Sequence, residues 1–399
     1  MSMKHFFLTR KREFLEAEIL VDTPRKRQIK IVEKGHKLSG KTLHTPPEGV
    51  ASGKLYPRVF HTQSKPTDFF EYNGRVLVSM GKSDYLVPKQ ESYRFQKITS
   101  TVIDSILSQD KVLLTGEAGT GKTSMITQLA SRINQPVLRV NLNGETRMAD
   151  FIGRMNVVNG EKGSVTEWVD GILPTAMRHG YWLILDEVDF AQPEILSLLH
   201  PVLEANGTLV VKENKGEEIK AHPNFRLFGT ANSIGSMAHR GDTYSGTQTM
   251  NEAFMDRWHL VTVPNMDEKT EVRVLRERIP SLQSKFAKRI VQFANMIRKG
   301  KEGNVVNMTF STRRAIQWAE KTALYRNPYK GAEAVFLEKV SVEDKAVLLK
   351  NMALVFGGGK RTKKVDENGN PVEKVAKTPA DPNKPKGKRG RPKGSKNKA

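Results

Sequence analysis

Apolar and polar positions follow three different rhythms along this chain. From Tyr93 to Pro264, short and mostly apolar runs alternate with stretches in which apolar residues recur every three or four positions. That is the pattern of buried parallel strands separated by helices. The runs are Val112–Thr115, Val137–Leu142, Tyr181–Leu185, Phe225–Thr230 and Leu260–Val263; after the first, Met125, Ile126, Leu129, Ala130 and Ile133 form one helical stripe. Residues 266–357 read as all-helical. Leu282, Phe286, Ile290, Phe293 and Ile297 repeat at three or four, and a further apolar segment, Ala346–Phe356, is stopped by Gly357-Gly358-Gly359. Upstream, residues 1–90 are punctuated by Gly and Pro, with weak strand-like runs at Phe14–Val21, Gln28–Val32 and Arg75–Ser79. A small β domain or a partly ordered arm is expected there. Residues 358–399 are rich in Lys, Pro and Gly and have too few bulky apolar side chains to bury, so they are expected to be disordered. The organisation predicted is therefore 1–90, an α/β domain over 91–265, a helical domain over 266–357, and a tail.

Composition removes several function classes. The chain has no cysteine, so disulfides and thiolate metal sites are excluded, and its nine histidines show no ligand spacing. No apolar run approaches the ~18 residues of a membrane span, and the N-terminus lacks a signal-like apolar core. A soluble, cytoplasmic protein without membrane contact is expected. The net charge of +22 is unevenly spread: residues 1–110 carry +7, residues 111–358 carry +5 and the last 41 carry +10. A polyanionic partner, nucleic acid first, is the natural expectation.

The candidate chemistry begins where the first buried strand ends, at Gly116-Glu117-Ala118-Gly119-Thr120-Gly121-Lys122-Thr123-Ser124. Glycines let the backbone curl so that successive N–H groups face phosphate oxygens, and the following helix aims its positive end at them. Lys122 is expected to reach the β- and γ-phosphates of ATP, and the Thr123 hydroxyl to hold Mg²⁺. Gly35-His-Lys-Leu-Ser-Gly40-Lys41-Thr42 fits the same pattern, but Pro46, Pro47 and Gly49 follow and cannot continue a helix. It is read as a false positive. Tyr181-Trp-Leu-Ile-Leu-Asp186-Glu187 delivers two acids at a strand's C-terminal end, where ligands gather in open α/β sheets. Asp186 would hold Mg²⁺ through its water shell and Glu187 would activate the attacking water; the plainer alternative is an acidic strand end capping the next helix. The next strand ends in Thr230-Ala231-Asn232, whose amide could bond that water or the γ-phosphate.

From about Tyr93 to Phe356 the chain resembles an AAA+ ATPase of the MoxR group, in the branch that contains the small ATPase subunit of aerobic cobaltochelatase. Beyond the nucleotide motifs, the resemblance rests on the segment from Asp242 through Asn251 to Asp256-Arg257-Trp258. It implies a P-loop core with a helical lid, a homo-oligomeric, hexameric ring, and Arg257 as an arginine finger reaching the neighbouring subunit's site. Ser311-Thr312-Arg313 resembles the family's lid motif, which makes Arg313 the lid sensor. Residues 151–171, with an Asn159-Gly160 turn signal, and residues 207–222, turning at Glu213–Gly216, resemble the family's two hairpin inserts. Pore-facing substrate contact and ordinary surface hairpins remain equal alternatives for them. A von Willebrand A-domain partner or a CobT-like partner protein is also implied. The C-terminal Arg389-Gly390-Arg391-Pro392 resembles an AT-hook, in which two flat guanidinium groups lie along a narrow A/T minor groove; a generic polybasic arm is the alternative. Three functions are consistent with these features: a DNA-tethered ring that remodels a protein or nucleic-acid complex, the motor of a cobaltochelatase-type metal-insertion complex, or a DNA-binding scaffold that ATP merely assembles.

Overall fold

The computed structural model describes residues 4–8, 14–23, 26–45, 59–62, 69–78, 85–160, 163–232 and 250–357. The N-terminal region is built from β1 (Lys4–Leu8), β2 (Phe14–Thr23), β3 (Lys26–Ile31), β4 (Thr42–Thr45) and β5 (Val59–Thr62), an antiparallel sheet in the order β4-β3-β2-β1-β5. The apparent phosphate motif at 35–42 is only the connection between β3 and β4: Gly35 and Gly40 turn the chain at positive φ, and a strand follows instead of a helix. The hairpin of β6 (Phe69–Tyr72) and β7 (Arg75–Val78) packs against the domain that follows. Arg75 grips Asp104 with two hydrogen bonds of 2.8 and 2.6 Å, and Leu77 shares a core with Val102, Ile103 and Ile126.

The central sheet contains β8 (Val112–Thr115), β9 (Val137–Asn141), β12 (Trp182–Asp186), β15 (Arg226–Ala231) and β16 (His259–Thr262), all parallel in the order β16-β8-β15-β12-β9. Every residue of β8 and β12 is buried, because helices cover both faces; this is why these strands read as continuous apolar runs and not as alternating ones. The expected strand limits hold to within a residue or two. Helices α1 (Thr99–Ser108), α2 (Lys122–Arg132), α4 (Ile172–His179) and α5 (Pro193–Leu203) flank the sheet. Between β9 and α4 a single-turn helix α3 (Met148–Phe151) leads into the hairpin β10 (Gly153–Gly160) and β11 (Gly163–Asp170). Asn159-Gly160 closes β10 instead of forming the turn, since the register pairs Asn159 with Ser164 and Gly160 with Gly163. A second hairpin, β13 (Thr208–Val211) and β14 (Glu217–Lys220), turns with Lys215 and Gly216 at positive φ, close to the expected turn.

After the single-turn helix α6 (Glu252–Met255) and β16, the chain becomes helical: α7 (Glu268–Arg278), α8 (Ser284–Glu302), α9 (Thr312–Tyr325), α10 (Pro328–Val335) and α11 (Val342–Phe356). Their core is an aromatic cluster, with Phe293, Phe310, Trp318 and Phe336 meeting mostly edge to face at centroid distances of 5.0–6.0 Å. Inside this apolar setting lies a buried ion pair. Arg298 donates to both oxygens of Glu271 at 2.8 and 2.7 Å and to the Phe310 carbonyl at 2.8 Å, while Thr312 Oγ1 donates to Glu271 at 2.8 Å.

Candidate nucleotide site

Strand register brings the candidate residues together. β15 lies between β8 and β12, and Ala231 pairs with Thr115 while Leu185 pairs with Gly229. The loop after Thr115, the acids after Leu185 and Asn232 therefore leave the sheet along one edge. Gly116 has φ +138, and an added Cβ would sit 2.5 Å from the Val263 carbonyl oxygen. At Gly119, with φ +78, a Cβ would sit 2.6 Å from Ser311 Oγ, so the lid rests directly on the loop. The approach is to backbone at Gly116 and to the Ser311 side chain at Gly119, and at both the positive φ would strain any other residue. The loop then enters α2 at Lys122, with its helical N–H groups directed toward the concavity. Ala118 and Ser124 lie in the same segment, and Glu117 is tied to the lid side by Asn265, which donates to its carboxylate at 3.1 Å.

Lys122 is 7% exposed. Its ammonium makes three hydrogen bonds, to the Gly116 carbonyl (2.6 Å), the Glu117 carbonyl (3.0 Å) and Asn232 Oδ1 (2.9 Å). Three is its full complement of donors, so the buried cation is fully satisfied within the loop. Burial lowers its pKa to about 8, against the opposing pull of the carboxylates of Asp189 and Asp186.

Asp186 Oδ1 accepts from Thr123 Oγ1 at 2.7 Å and from Thr230 Oγ1 at 2.8 Å, and Oδ2 is ion-paired with Arg139. A hydroxyl beside a carboxylate at the foot of a phosphate-sized cradle is the hard-oxygen donor set that Mg²⁺ takes with a nucleotide. The residues present fit both groups. Glu187 adopts a left-handed conformation (φ 59, ψ 48), which turns the chain abruptly from strand into the short helix at 188–190. Among the described residues its carboxylate makes no hydrogen bond. A non-glycine residue held in that region is a typical mark of a functional turn.

Asn232 is fixed from both sides, with its N–H donating to Asp189 Oδ2 at 3.1 Å and its amide oxygen accepting from Lys122. Arg313 follows Ser311 at the start of α9, with its Cβ 3.2 Å from where a Cβ on Gly119 would lie. The neighbouring Arg314 turns back instead to the Thr309 carbonyl. Arg257 is not brought to this site. It precedes β16, whose first residue pairs with Val112 at the start of β8, whereas the phosphate loop leaves β8 after Thr115. Four strand residues, ~13 Å at ~3.3 Å each, separate the two ends. Arg257 instead donates to Glu204 Oε1 at 2.7 Å and to the Ala253 carbonyl. Arg389, Gly390, Arg391 and Pro392, and the segment Asp242–Thr249, lie outside the described residues.

Sequence reasoning passed over Arg139, Asp189 and Thr230. Asp189 stands three residues past Asp186, and Thr230 closes a strand already singled out. The signal for Arg139 is a lone cation in the otherwise uncharged strand Val137-Leu-Arg-Val-Asn.

A phosphate loop, an acidic strand end two places away and a lid seated on the loop define the class: a nucleotide-hydrolysing P-loop protein with a helical lid. Residues 111–258 match the family model of the AAA domain (dynein-related subfamily), and residues 271–351 match the CbbQ/NirQ/NorQ C-terminal model. The chain is 32% identical to aerobic cobaltochelatase subunit CobS of Sinorhizobium over 286 residues, covering 69% of this chain and 85% of that one. It is 26% identical over 273 residues to Midasin of Dictyostelium discoideum, covering 66% of this chain but only 4% of that protein. It is 26% identical over 243 residues to the uncharacterized protein YojN of Bacillus subtilis, covering 61% of this chain and 76% of that one. The chain belongs to the AAA+ ATPases of the MoxR type, close to CobS. Among the described residues, no helix is long and apolar enough to cross a membrane.

Proposed function

We propose that this chain is a ring-forming, Mg²⁺-dependent ATPase whose sites are completed by the neighbouring copy, and that it couples hydrolysis to remodelling of a protein or nucleic-acid complex. The observation that carries this reading is the separation of Arg257 from the phosphate loop of its own chain, at opposite ends of β8 and β16. Such an arginine serves a site only in trans. In this reading the loop and Lys122 bind the β- and γ-phosphates, Thr123 and Asp186 hold Mg²⁺, and Glu187 takes the proton of the attacking water, which Asn232 helps to orient. Mg²⁺ neutralises charge on the phosphate oxygens. Arg313 reads the nucleotide from the lid, and the neighbour's Arg257 stabilises charge on the transferring phosphoryl group. The tail, through Arg389 and Arg391, tethers the assembly to A/T-rich DNA.

Mixing Arg257→Ala with Lys122→Ala subunits tests the central feature, because one supplies an intact site and the other an intact finger. Hydrolysis is expected to reappear in mixed rings. Inactive mixtures in which both subunits are demonstrably co-assembled would contradict action across an interface. A second reading, the motor of a cobaltochelatase-type complex working with a CobT-like partner, is favoured by the similarity to CobS over 85% of that protein. Co-purification with a tetrapyrrole-binding partner distinguishes it.

A further inference from the structure

Arg139 has no part in the mechanism above, yet it holds the carboxylate on which Mg²⁺ binding depends. It stands on β9, the edge strand of the central sheet, in register with Ile184 two residues before Asp186. Its side chain is 60% exposed while that of Asp186 is 6% exposed, so an otherwise solvated guanidinium reaches inward to one buried oxygen. The division of that carboxylate is specific. Oδ1 is taken by the hydroxyls of Thr123 and Thr230, and Oδ2 by Arg139 Nε. Among the described residues, no other hydrogen bond of this guanidinium is present, so nothing else anchors it. Arg139 is the only cation bonded directly to the metal-site carboxylate among the described residues.

Hydrated Mg²⁺ needs the same oxygen. Thr123 already donates to Oδ1, which leaves Oδ2 as the acceptor for the metal's water shell, and a guanidinium beside a dication is electrostatically unfavourable. We propose that Arg139 is a latch that competes with Mg²⁺ for Oδ2 of Asp186, so that binding of the metal–nucleotide complex releases it from the carboxylate. The backbone of the same residue connects to the segment leading into the β10–β11 hairpin, because Leu142 N–H donates to the Asp186 main-chain carbonyl at 2.9 Å. The latch thus lies where the nucleotide state meets the base of that hairpin. The inference rests on the Mg²⁺–nucleotide reading of the site.

The test uses the full chain with a fluorescent ATP analogue, titrating Mg²⁺ from an EDTA-treated start and reading binding without turnover. Wild-type protein that binds no analogue at any Mg²⁺ concentration would overturn the nucleotide reading itself. Given binding, Arg139→Gln is expected to lower the half-saturating Mg²⁺ about fivefold, which is about 1 kcal/mol at 1.4 kcal/mol per tenfold. Arg139→Lys, which keeps the charge, is expected to stay within about twofold of wild type. Arg139 is exposed on an edge strand, so both variants are expected to fold. A half-saturating Mg²⁺ that is unchanged or higher in Arg139→Gln, with analogue binding intact, would overturn the latch and leave the nucleotide reading standing; a higher value would make Arg139 a group that orients Asp186 for the metal.

Discussion

Arg298→Met isolates the device that holds the lid against the phosphate loop. In the native lid Arg298 joins α8 to Glu271 on α7 and to the Phe310 carbonyl, and Thr312 at the start of α9 donates to the same carboxylate. The next residue is Arg313, and Ser311 touches the loop at Gly119. Methionine fills a similar volume but leaves Glu271, which is fully buried, with Thr312 as its remaining partner. Removing one member of a buried pair costs about 3–5 kcal/mol, because the other charge stays uncompensated.

Hydrogen exchange of α9 amides reads this directly. A penalty of about 3 kcal/mol raises the opening equilibrium roughly a hundredfold, and exchange in α9 should accelerate by that factor at pH 7. Because exchange chemistry itself depends on pH, each comparison is made with wild type at the same pH. Arg298→Met combined with Glu271→Leu removes both charges and is expected to recover most of the protection. Exchange in the single variant within about threefold of wild type, or a double variant less protected than the single, would refute the reasoning. The lost lid contact should also weaken nucleotide binding.

Two further outcomes follow from other parts of the molecule. With Lys122 at about 8 in the free protein, its ammonium is mostly intact at pH 7 and mostly deprotonated at pH 8.5, and a bound polyphosphate restores the charge. Calorimetry in buffers of different ionisation enthalpy should therefore find proton uptake on ATP binding that grows between pH 7 and 8.5 and is absent in a binding-competent Lys122→Met; uptake that stays flat across this range would contradict it. Replacing Arg389 and Arg391 with lysine keeps the tail's charge but loses the flat guanidinium fit to the minor groove. Competition at fixed salt should then show the A/T preference lost and G/C-rich binding kept, and a native tail without A/T preference would reduce the motif to a polybasic arm.

Much of this was legible in the sequence because buried parallel strands are apolar throughout and end in function. The phosphate loop, Asp186-Glu187 and Asn232 each follow such a run, and sheet order does the rest. Context also exposed the false motif at 35–42, since Pro46 and Pro47 exclude the helix that a phosphate site requires. The β10–β11 turn was less legible: Asn159-Gly160 is a strong local signal, but the strand register carries both residues into the ladder, with Gly160 paired to Gly163. Arg139, Asp189 and the Glu271–Arg298 pair could not be read in advance. Their partners are 47, 43 and 27 positions away in the chain, and spacing says nothing about which distant side chain neutralises a buried charge. Arg257 was legible only through resemblance, and the geometry adds that it lies away from its own site.

The central claim is that this site hydrolyses ATP with Glu187 as the base. Glu187→Gln keeps the phosphate cradle and the Thr123–Asp186 pair and removes only the carboxylate. Single-turnover phosphate release from pre-bound ATP, measured beside wild type, tests it most directly. The account predicts that ATP binds with near-normal affinity and persists, with release slowed by at least about a hundredfold, the scale of a general base. Release at the wild-type rate would contradict it.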